Sequence, residues 1–280
     1  MNFIKNIRLK YKPLIVFAVL AIMNAGGIYV LRQLVVDEMA DHVLPTQELV
    51  GESGYLTKEI QTEVLEYIST GEAETLEQFS DSSTKLLTTA EQLSALAKNA
   101  EESEIYAANE AVALNIVTTG QELIDRHGET LALLQTFKEA SEAKDAAVDL
   151  IDRAALAAES GLTAELTTQG LSQIERIQTL TLEYVLGGED AVRLNLDTEQ
   201  AQFFTNLEAL QNVIGGEQSS LAGRLEAIVA ASTGIAQVSE QVVASHAETL
   251  VLLDELETLE ARAIEIRTGL LGTVEEDVND

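Results

Sequence analysis

The sequence predicts an all-α protein, and three observations support that fold class. Ala, Leu, Glu and Gln are abundant, Pro occurs only 2 times, and 4% of residues are aromatic. Such a composition favours narrow, tightly packed helices. Apolar residues recur at helical spacing along most of the chain. Two segments also return at a nearly constant distance, which indicates that a helical unit is duplicated.

The first repeated segment predicts a turn between helices in each copy. Residues 60–72 match residues 177–189 at eight of thirteen positions, and the shared words are LEYISTGE and LEYVLGGE. Gly71 in the first copy, and Gly187 with Gly188 in the second, are suited to the left-handed cap that commonly ends a helix. Each copy therefore predicts a short helix that ends at the glycine and a partner helix that follows.

A second repeated segment gives the order of the helices. Residues 127–134 (HGETLALL) match 246–253 (HAETLVLL) at six of eight positions. Two matches in the same order predict a short hairpin and then one long helix in each copy. Besides the two short helices that end at the glycine turns, helices are expected at about 72–98, 103–160, 189–214 and 218–275. Because short connections make neighbours antiparallel, we expect two stacked antiparallel four-helix bundles built from two long and four short helices.

The repeat also predicts a pair of histidines. If the long helices run antiparallel about a common centre, Ser103 lies beside Leu270 and His127 lies beside His246, at the junction of the bundles. Two histidines without converging carboxylates make a poor metal site. We therefore expect no metal here, and polar side chains that hydrogen-bond across the junction and loosen it when charged at low pH.

An uncharged segment near the N-terminus predicts a membrane anchor. Residues 13–31 (PLIVFAVLAIMNAGGIYVL) contain no charge over 19 residues, which is close to the ~20 residues that span a bilayer. Four basic residues precede this segment, so the N-terminus is expected in the cytoplasm. A cleaved signal peptide is the alternative. We predict a cytoplasmic tail and anchor at residues 1–36 in the inner membrane, and a periplasmic or extracellular part at 37–280.

Charge and composition exclude several functional classes. All 47 acidic residues lie at or after Asp37, where only 12 of the 17 basic residues occur, so this part has a net charge of −35. Such a surface repels nucleic acid. With 0 Cys, thiol catalysis and Cys-based zinc sites are excluded. No catalytic triad or phosphate-binding loop is present, so we expect neither an enzyme nor a cofactor.

Together, the N-terminal anchor, the two turn segments and the layout of two long and four short helices resemble the helical bimodular sensor domain. That domain occurs in bacterial chemoreceptors (methyl-accepting chemotaxis proteins) and sensor kinases. The two segments of this sequence that support the resemblance are LEYISTGEAETLEQF and LEYVLGGEDAVRLNL. The resemblance implies that a small molecule, often an organic acid, binds within the bundles. It also implies a parallel homodimer, with a second membrane helix and a signalling region after residue 280.

The resemblance and the helix pattern together suggest bundle boundaries and a function. The membrane-proximal bundle is expected at about 46–127 plus 246–275, and the distal bundle at about 128–245. We expect a chemoreceptor-type small-molecule sensor in which the C-terminal long helix transmits a small shift. The alternative is a membrane-anchored structural rod without a ligand.

Candidate ligand residues are basic or polar side chains on the apolar stripes, because a buried base requires an anionic partner. Arg224 and Arg262 lie between apolar residues at i+3 and i+4 spacing and are candidate carboxylate clamps, with Arg176 as a weaker candidate. The repeated polar residues that could line pockets are Gln61, Thr62, Gln178 and Thr179. The strongly negative surface also permits a cationic ligand, such as an amine or a basic amino acid.

Overall fold

The computed structural model describes Arg32, Val36 and residues 39–149, 161–214 and 222–279. Within these residues the chain is helical apart from short turns and contains no strand, which confirms the predicted all-α class. A π-helical segment, Met39–Val43, precedes six α-helices. These are α1 Leu44–Thr70, α2 Ala73–Ala95, α3 Ala100–Asp149, α4 Gly161–Gly187, α5 Asp190–Ile214 and α6 Ala222–Asn279. The predicted membrane segment 13–31 lies outside the described residues.

The two glycine turns form as predicted. Gly71 has φ +69° and Gly188 has φ +63°, the left-handed conformation that glycine adopts without steric cost. The amide of each glycine donates to the carbonyl four residues earlier, from Gly71 to Tyr67 and from Gly188 to Tyr184, both at 2.7 Å. This single hydrogen bond satisfies a carbonyl that the helix end would otherwise leave free. Local chemistry therefore ends α1 and α4 at equivalent positions.

The first compact unit contains residues 39–63, 73–117 and 259–279 of the described chain. One apolar cluster joins all four of its helical segments through Val50, Leu93, Tyr106 and Leu270. The hydroxyls of Thr46 and Tyr106 lie 3.5 Å apart within the buried region. Tyr106 is one turn from Ser103, and the predicted pairing of Ser103 with Leu270 stays a prediction. We call this part unit 1.

The second compact unit, unit 2, contains residues 64–72, 118–149, 161–214 and 222–258. Its larger apolar core combines residues of α3, α4, α5 and α6, among them Phe137, Ile174, Phe203 and Ile235. Burial of so many aliphatic and aromatic side chains stabilises the helices, because helical propensity alone is weak in water. The bundle boundaries were predicted near residues 127 and 246, whereas the compact units divide at other residues. The predicted boundaries of the bundles stay a prediction.

One described helical stretch, Leu225–Thr273, is long and apolar enough to cross a membrane by length and composition, and 39% of its most apolar window is buried inside the protein. Core helices of soluble proteins pass the same test. Ile228 and Val242 of this stretch are buried in unit 2, and acidic residues such as Glu240 and Asp254 interrupt it. Part of its apolar surface therefore packs in the core of unit 2.

Candidate functional site

Two of the three arginines predicted to bind a ligand, Arg262 and Arg176, do not lie in a core. Arg262 is exposed on α6, and its prediction as a core residue is wrong because Ala263, the next residue, occupies the buried position of that turn. Arg176 is exposed on α4, and its Nε lies 3.0 Å from Oε1 of Glu199 on α5. The side chain of Arg224 lies outside the described residues.

The four repeated polar residues divide into two groups. Thr62 and Thr179 are exposed, and each hydroxyl donates to the carbonyl four residues earlier in its own helix, at 2.8 and 3.0 Å. Their hydroxyl groups therefore bond to the backbone of their own helix. Gln61 and Gln178 are half-buried, and only Gln178 contacts a buried base.

Arg267 on α6 is a buried arginine of unit 1 and is 7% exposed. Its Nη1 donates to the carbonyl of Ser53 at 3.0 Å and to the hydroxyl of Thr57 at 2.9 Å, with the hydroxyl of Ser53 at 3.4 Å. All three acceptors are neutral and belong to α1. No carboxylate among the described residues forms an ion pair with this guanidinium. The site therefore contains a buried cation without an anionic partner.

The surroundings of Arg267 leave its charge only partly compensated. Burial lowers the pKa of the Arg267 guanidinium, and the negative charge of Glu260, two turns earlier on α6, acts in the opposite direction. A guanidinium nevertheless stays protonated in proteins. Gly54 on α1 carries no side chain against it, and a Cβ there would lie 3.9 Å from Nε of Arg267. A carboxylate placed on this guanidinium would gain charge-assisted, bidentate hydrogen bonds.

Lys144 on α3 is a buried base in the described part of unit 2 and is 5% exposed. Its Nζ lies 3.4 Å from Oε1 of Gln178 on α4 and 3.0 Å from Oδ1 of Asp145. The Nε2 of Gln178 donates to the hydroxyl of Ser141 at 2.6 Å. Because the Asp145 side chain is 70% exposed, solvent screens this ion pair. Lys144 thus differs from Arg267 in having a carboxylate partner within its own helix.

The predicted histidine pair is found in unit 2, with a tyrosine beside each ring. Tyr67 contacts His127 with ring centroids 5.8 Å apart and planes at 79°. Tyr184 contacts His246 with centroids 5.6 Å apart and planes at 86°. Both are edge-to-face contacts, and both combine residues of the two repeated segments. We call these four residues the Tyr–His layer.

Contacts beside the layer show that its two histidines lie at one level of the long helices. The hydroxyls of Thr130 on α3 and Ser245 on α6 are 2.8 Å apart and buried. Nε of Arg126 lies 2.9 Å from Oε2 of Glu248. Residue numbers rise along α3 as they fall along α6, so the two helices are antiparallel here. The predicted register of the histidines is confirmed, whereas the expected hydrogen bonds between their rings and facing groups are replaced by edge contacts to tyrosines.

A surface groove of about 680 Å³ lies next to these contacts in unit 2. Its lining includes one base, Arg126, and carboxylates on both long helices: Glu122, Asp125 and Glu129 on α3 and Glu248 on α6. The three apolar lining residues, Ala247, Val251 and Leu252, belong to α6. Arg126 already pairs with Glu129 at 2.6 Å as well as with Glu248. The groove is therefore acidic but is partly neutralised by its own arginine.

No group of three or more His, Asp or Glu side chains suited to a metal ion occurs among the described residues. Two smaller surface cavities, of about 520 and 420 Å³, lie beside Thr233 in unit 2 and beside Leu114 in unit 1.

No protein-family model matches this chain, and no curated protein matches it. The candidate sites are therefore judged on their own geometry.

Sequence reasoning missed Arg267, Ser53, Thr57 and Lys144. Arg267 lies four residues after Ala263 and three before Leu270, so it satisfies the same spacing rule that selected Arg262. Both arginines lie near apolar residues because the apolar stripe of α6 is wide. The sequence alone does not show which residues at the edge of that stripe are buried. Lys144 gave a weaker signal, since the apolar residues at i−4 and i+3 from it, Ala140 and Ala147, are small.

Proposed function

We propose that this chain is the ligand-binding part of a membrane-anchored extracytoplasmic sensor of the helical bimodular type, with Arg267 as the anchor for a small organic anion. The supporting observation is the buried guanidinium whose hydrogen bonds all go to neutral acceptors. Taking a charge out of water costs several kcal/mol unless a partner compensates it. A ligand carboxylate supplies that partner, which explains why a protein would retain such a residue in its core.

The proposal includes the finer architecture and the mode of signalling. Each unit is a four-helix bundle that shares the long helices α3 and α6. Ser53 and Thr57 on α1 orient the guanidinium, which leaves its remaining N–H groups for the ligand. Because Arg267 belongs to α6 and its partners belong to α1, a bound anion favours one packing of these two helices over another. A small displacement of α6 then carries the signal towards the membrane.

Ligand screening by thermal unfolding tests the proposal on the full chain in detergent. We expect one or more of acetate, succinate, malate and glutamate to raise Tm, while putrescine and neutral sugars do not. A ligand at a hundred times its Kd stabilises by about 2.7 kcal/mol, which corresponds to roughly 5–10 °C for a protein of this size.

The chain offers a matched control on the same helix. Arg267→Gln should abolish the shift, whereas Arg262→Gln should retain it, because Arg262 is exposed and Arg267 is buried. Arg267→Lys, which keeps the charge but not the bidentate geometry, should weaken binding and serves if the Gln variant does not fold. A carboxylate that stabilises Arg267→Gln as well as wild type refutes the anchor. No stabilisation by any compound favours the alternative of a structural rod.

Topology is tested separately, using the absence of cysteine. Glu101 is exposed on α3, so Glu101→Cys should react with a membrane-impermeant maleimide in intact cells. Asn2→Cys should react only after the membrane is permeabilised. Loss of an N-terminal tag from the mature protein would instead indicate a cleaved signal peptide. Protection of Glu101→Cys in intact cells contradicts an extracytoplasmic location.

The proposal also includes a parallel homodimer. The net charge of −35 on residues 37–280 repels a second copy, and salt screens that repulsion as the Debye length falls from ~30 Å at 0.01 M to ~8 Å at 0.15 M. Dimer affinity should therefore increase with ionic strength. Analytical ultracentrifugation of the full chain at several salt concentrations measures this, and a monomer under all conditions refutes the dimer.

A further inference from the structure

The Tyr–His layer places two ionisable rings in a setting that disfavours their charge. His127 and His246 are both half-buried in unit 2. Burial lowers the pKa of His127, and the nearby positive charge of His246 lowers it further. Burial likewise lowers the pKa of His246. The neutral pair therefore fits this packing better than the protonated pair.

The charged groups around the layer do not reverse this preference. On the long helices they are Arg126, Glu129 and Glu248, and Arg126 pairs with both carboxylates. On the facing helices, Glu66 precedes Tyr67 and Glu183 precedes Tyr184, and both acids are exposed, so solvent and salt screen their attraction. The exposed acids of the two glycine turns are Glu72 and Glu189. Arg126 adds a positive charge next to His127 in sequence.

The tyrosine rings exert an opposing effect. A cation over an aromatic face gains about 0.5–1 kcal/mol at exposed sites and about 2 kcal/mol when desolvated. Each imidazolium could therefore recover part of its burial cost from its own tyrosine. This gain does not remove the repulsion between two imidazolium rings at the same level of α3 and α6, so protonation of both rings is the disfavoured step.

We propose that the Tyr–His layer is a proton-sensitive contact between the long helices, closely packed while both histidines are neutral and loosened when they are protonated. The layer is adjacent to the buried Thr130–Ser245 hydrogen bond, which joins α3 to α6 directly. Acidification therefore weakens the contact through which these two helices are held in register. The device requires no ligand, so its failure is distinct from failure of the sensor proposal.

The sign of the pH dependence follows from linkage. Both histidines have a folded-state pKa below the ordinary value of 6.5, so the unfolded chain binds more protons as the pH falls below that value. The stability of unit 2 is therefore full above pH 6.5 and decreases as the pH falls through the folded-state pKa values. Because the rings interact, they release protons in two apparent steps that belong to the pair.

Two measurements on the full chain in detergent test this. NMR titration of isotope-labelled histidine is simple, because the chain has only 3 His and His42→Gln identifies the third signal. We expect the other two to titrate below 6.5. Between pH 7.5 and 5.5, wild type and His42→Gln should lose at least ~3 °C more in Tm than the double variant His127→Gln/His246→Gln.

Each of the two measurements remains informative if the other fails. If the double variant does not fold, the single variant His127→Gln should show an intermediate loss, and the titration of wild type needs no variant. Apparent pKa values at or above 6.5 for both rings overturn the proposal. Equal acid-induced losses of Tm in wild type and the double variant overturn it as well, because the carboxylates shared by both proteins would then account for the effect.

Discussion

The two copies of the glycine turn have the same backbone but differ in packing. A Cβ added to Gly71 would lie 3.7 Å from Cδ1 of Leu131, which is ordinary contact, whereas at Gly188 the equivalent distance to Leu250 is 2.9 Å. Tyr184 beneath the second turn is only 2% exposed, and Tyr67 beneath the first is half-buried. Duplication has therefore preserved the local turn chemistry, while the surroundings of each copy have determined how closely it packs.

The largest expected difference between the copies is at the tyrosines. Tyr184→Ala should destabilise unit 2 by about 3–5 kcal/mol, as for other buried aromatic residues. Tyr67→Ala should cost less, about 1–3 kcal/mol, because part of its ring is already in contact with water. Urea unfolding followed by circular dichroism measures both changes. Equal losses at the two positions would show that the difference in burial has no energetic consequence.

The glycines themselves should show the next largest difference. Both variants, Gly71→Ala and Gly188→Ala, force a side chain into a left-handed conformation at a cost of about 1–2 kcal/mol. Gly188→Ala also brings its Cβ against Leu250, whose side chain must move, so we expect about 1 kcal/mol more at this turn. The double variant Gly188→Ala/Leu250→Ala separates the two effects, since it removes the close contact and keeps the strained backbone. A loss at Gly71 that equals or exceeds the loss at Gly188 contradicts the comparison.

Sequence reasoning succeeded for features set by the backbone and was less successful for the packing of side chains. The caps at Gly71 and Gly188 were predictable because a left-handed cap depends on a few consecutive residues. The level of His127 with His246 followed from helix lengths and antiparallel order. Both features depend on the backbone and on helical periodicity, and each occurs in both copies of the repeat.

Side-chain burial was less predictable. Leu131 and Leu250 follow His127 and His246 at helical spacing, yet they are 41% and 36% exposed, and each lies against a glycine turn. Arg262 and Arg267 were indistinguishable by spacing, since a turn of 3.6 residues lets a wide apolar stripe include either position. Which one is buried depends on how α1 packs against α6, and the sequence of α6 does not specify that.

A smaller effect of opposite sign is expected at Gly128, which lies beside His127 on α3. The equivalent residue in the other copy is Ala247, and a Cβ at Gly128 would lie 3.9 Å from the hydroxyl of Tyr67, an ordinary contact. Gly128→Ala should therefore stabilise unit 2 by up to ~1 kcal/mol through helix propensity. Ala247→Gly should cost a similar amount. If Gly128→Ala destabilises, the space beside Tyr67 is smaller than the geometry indicates.

The smallest expected effect concerns a charge that only one copy has. Arg126 is matched by Ser245 in the repeat, so only one side of the Tyr–His layer has a cation that contacts Glu129 and Glu248. All three side chains are 40–60% exposed, so these pairs together are worth about 0.2–1 kcal/mol. Arg126→Gln should cause a loss of this size at low salt, because carboxylates on both walls of the groove are then unpaired.

That loss should fall towards zero by about 0.5 M NaCl, where the Debye length is only about 4 Å and exposed charges are strongly screened. Ser245→Ala provides the contrast, because it removes a buried hydrogen bond to Thr130 at 2.8 Å and should cost about 1 kcal/mol. Salt does not screen a neutral hydrogen bond, so this second loss should be the same at both salt concentrations. Urea unfolding of both variants at 0.05 and 0.5 M NaCl measures the difference. If the loss in Arg126→Gln is independent of salt, Arg126 acts through packing of its side chain against α6, and its charge does not distinguish the two copies.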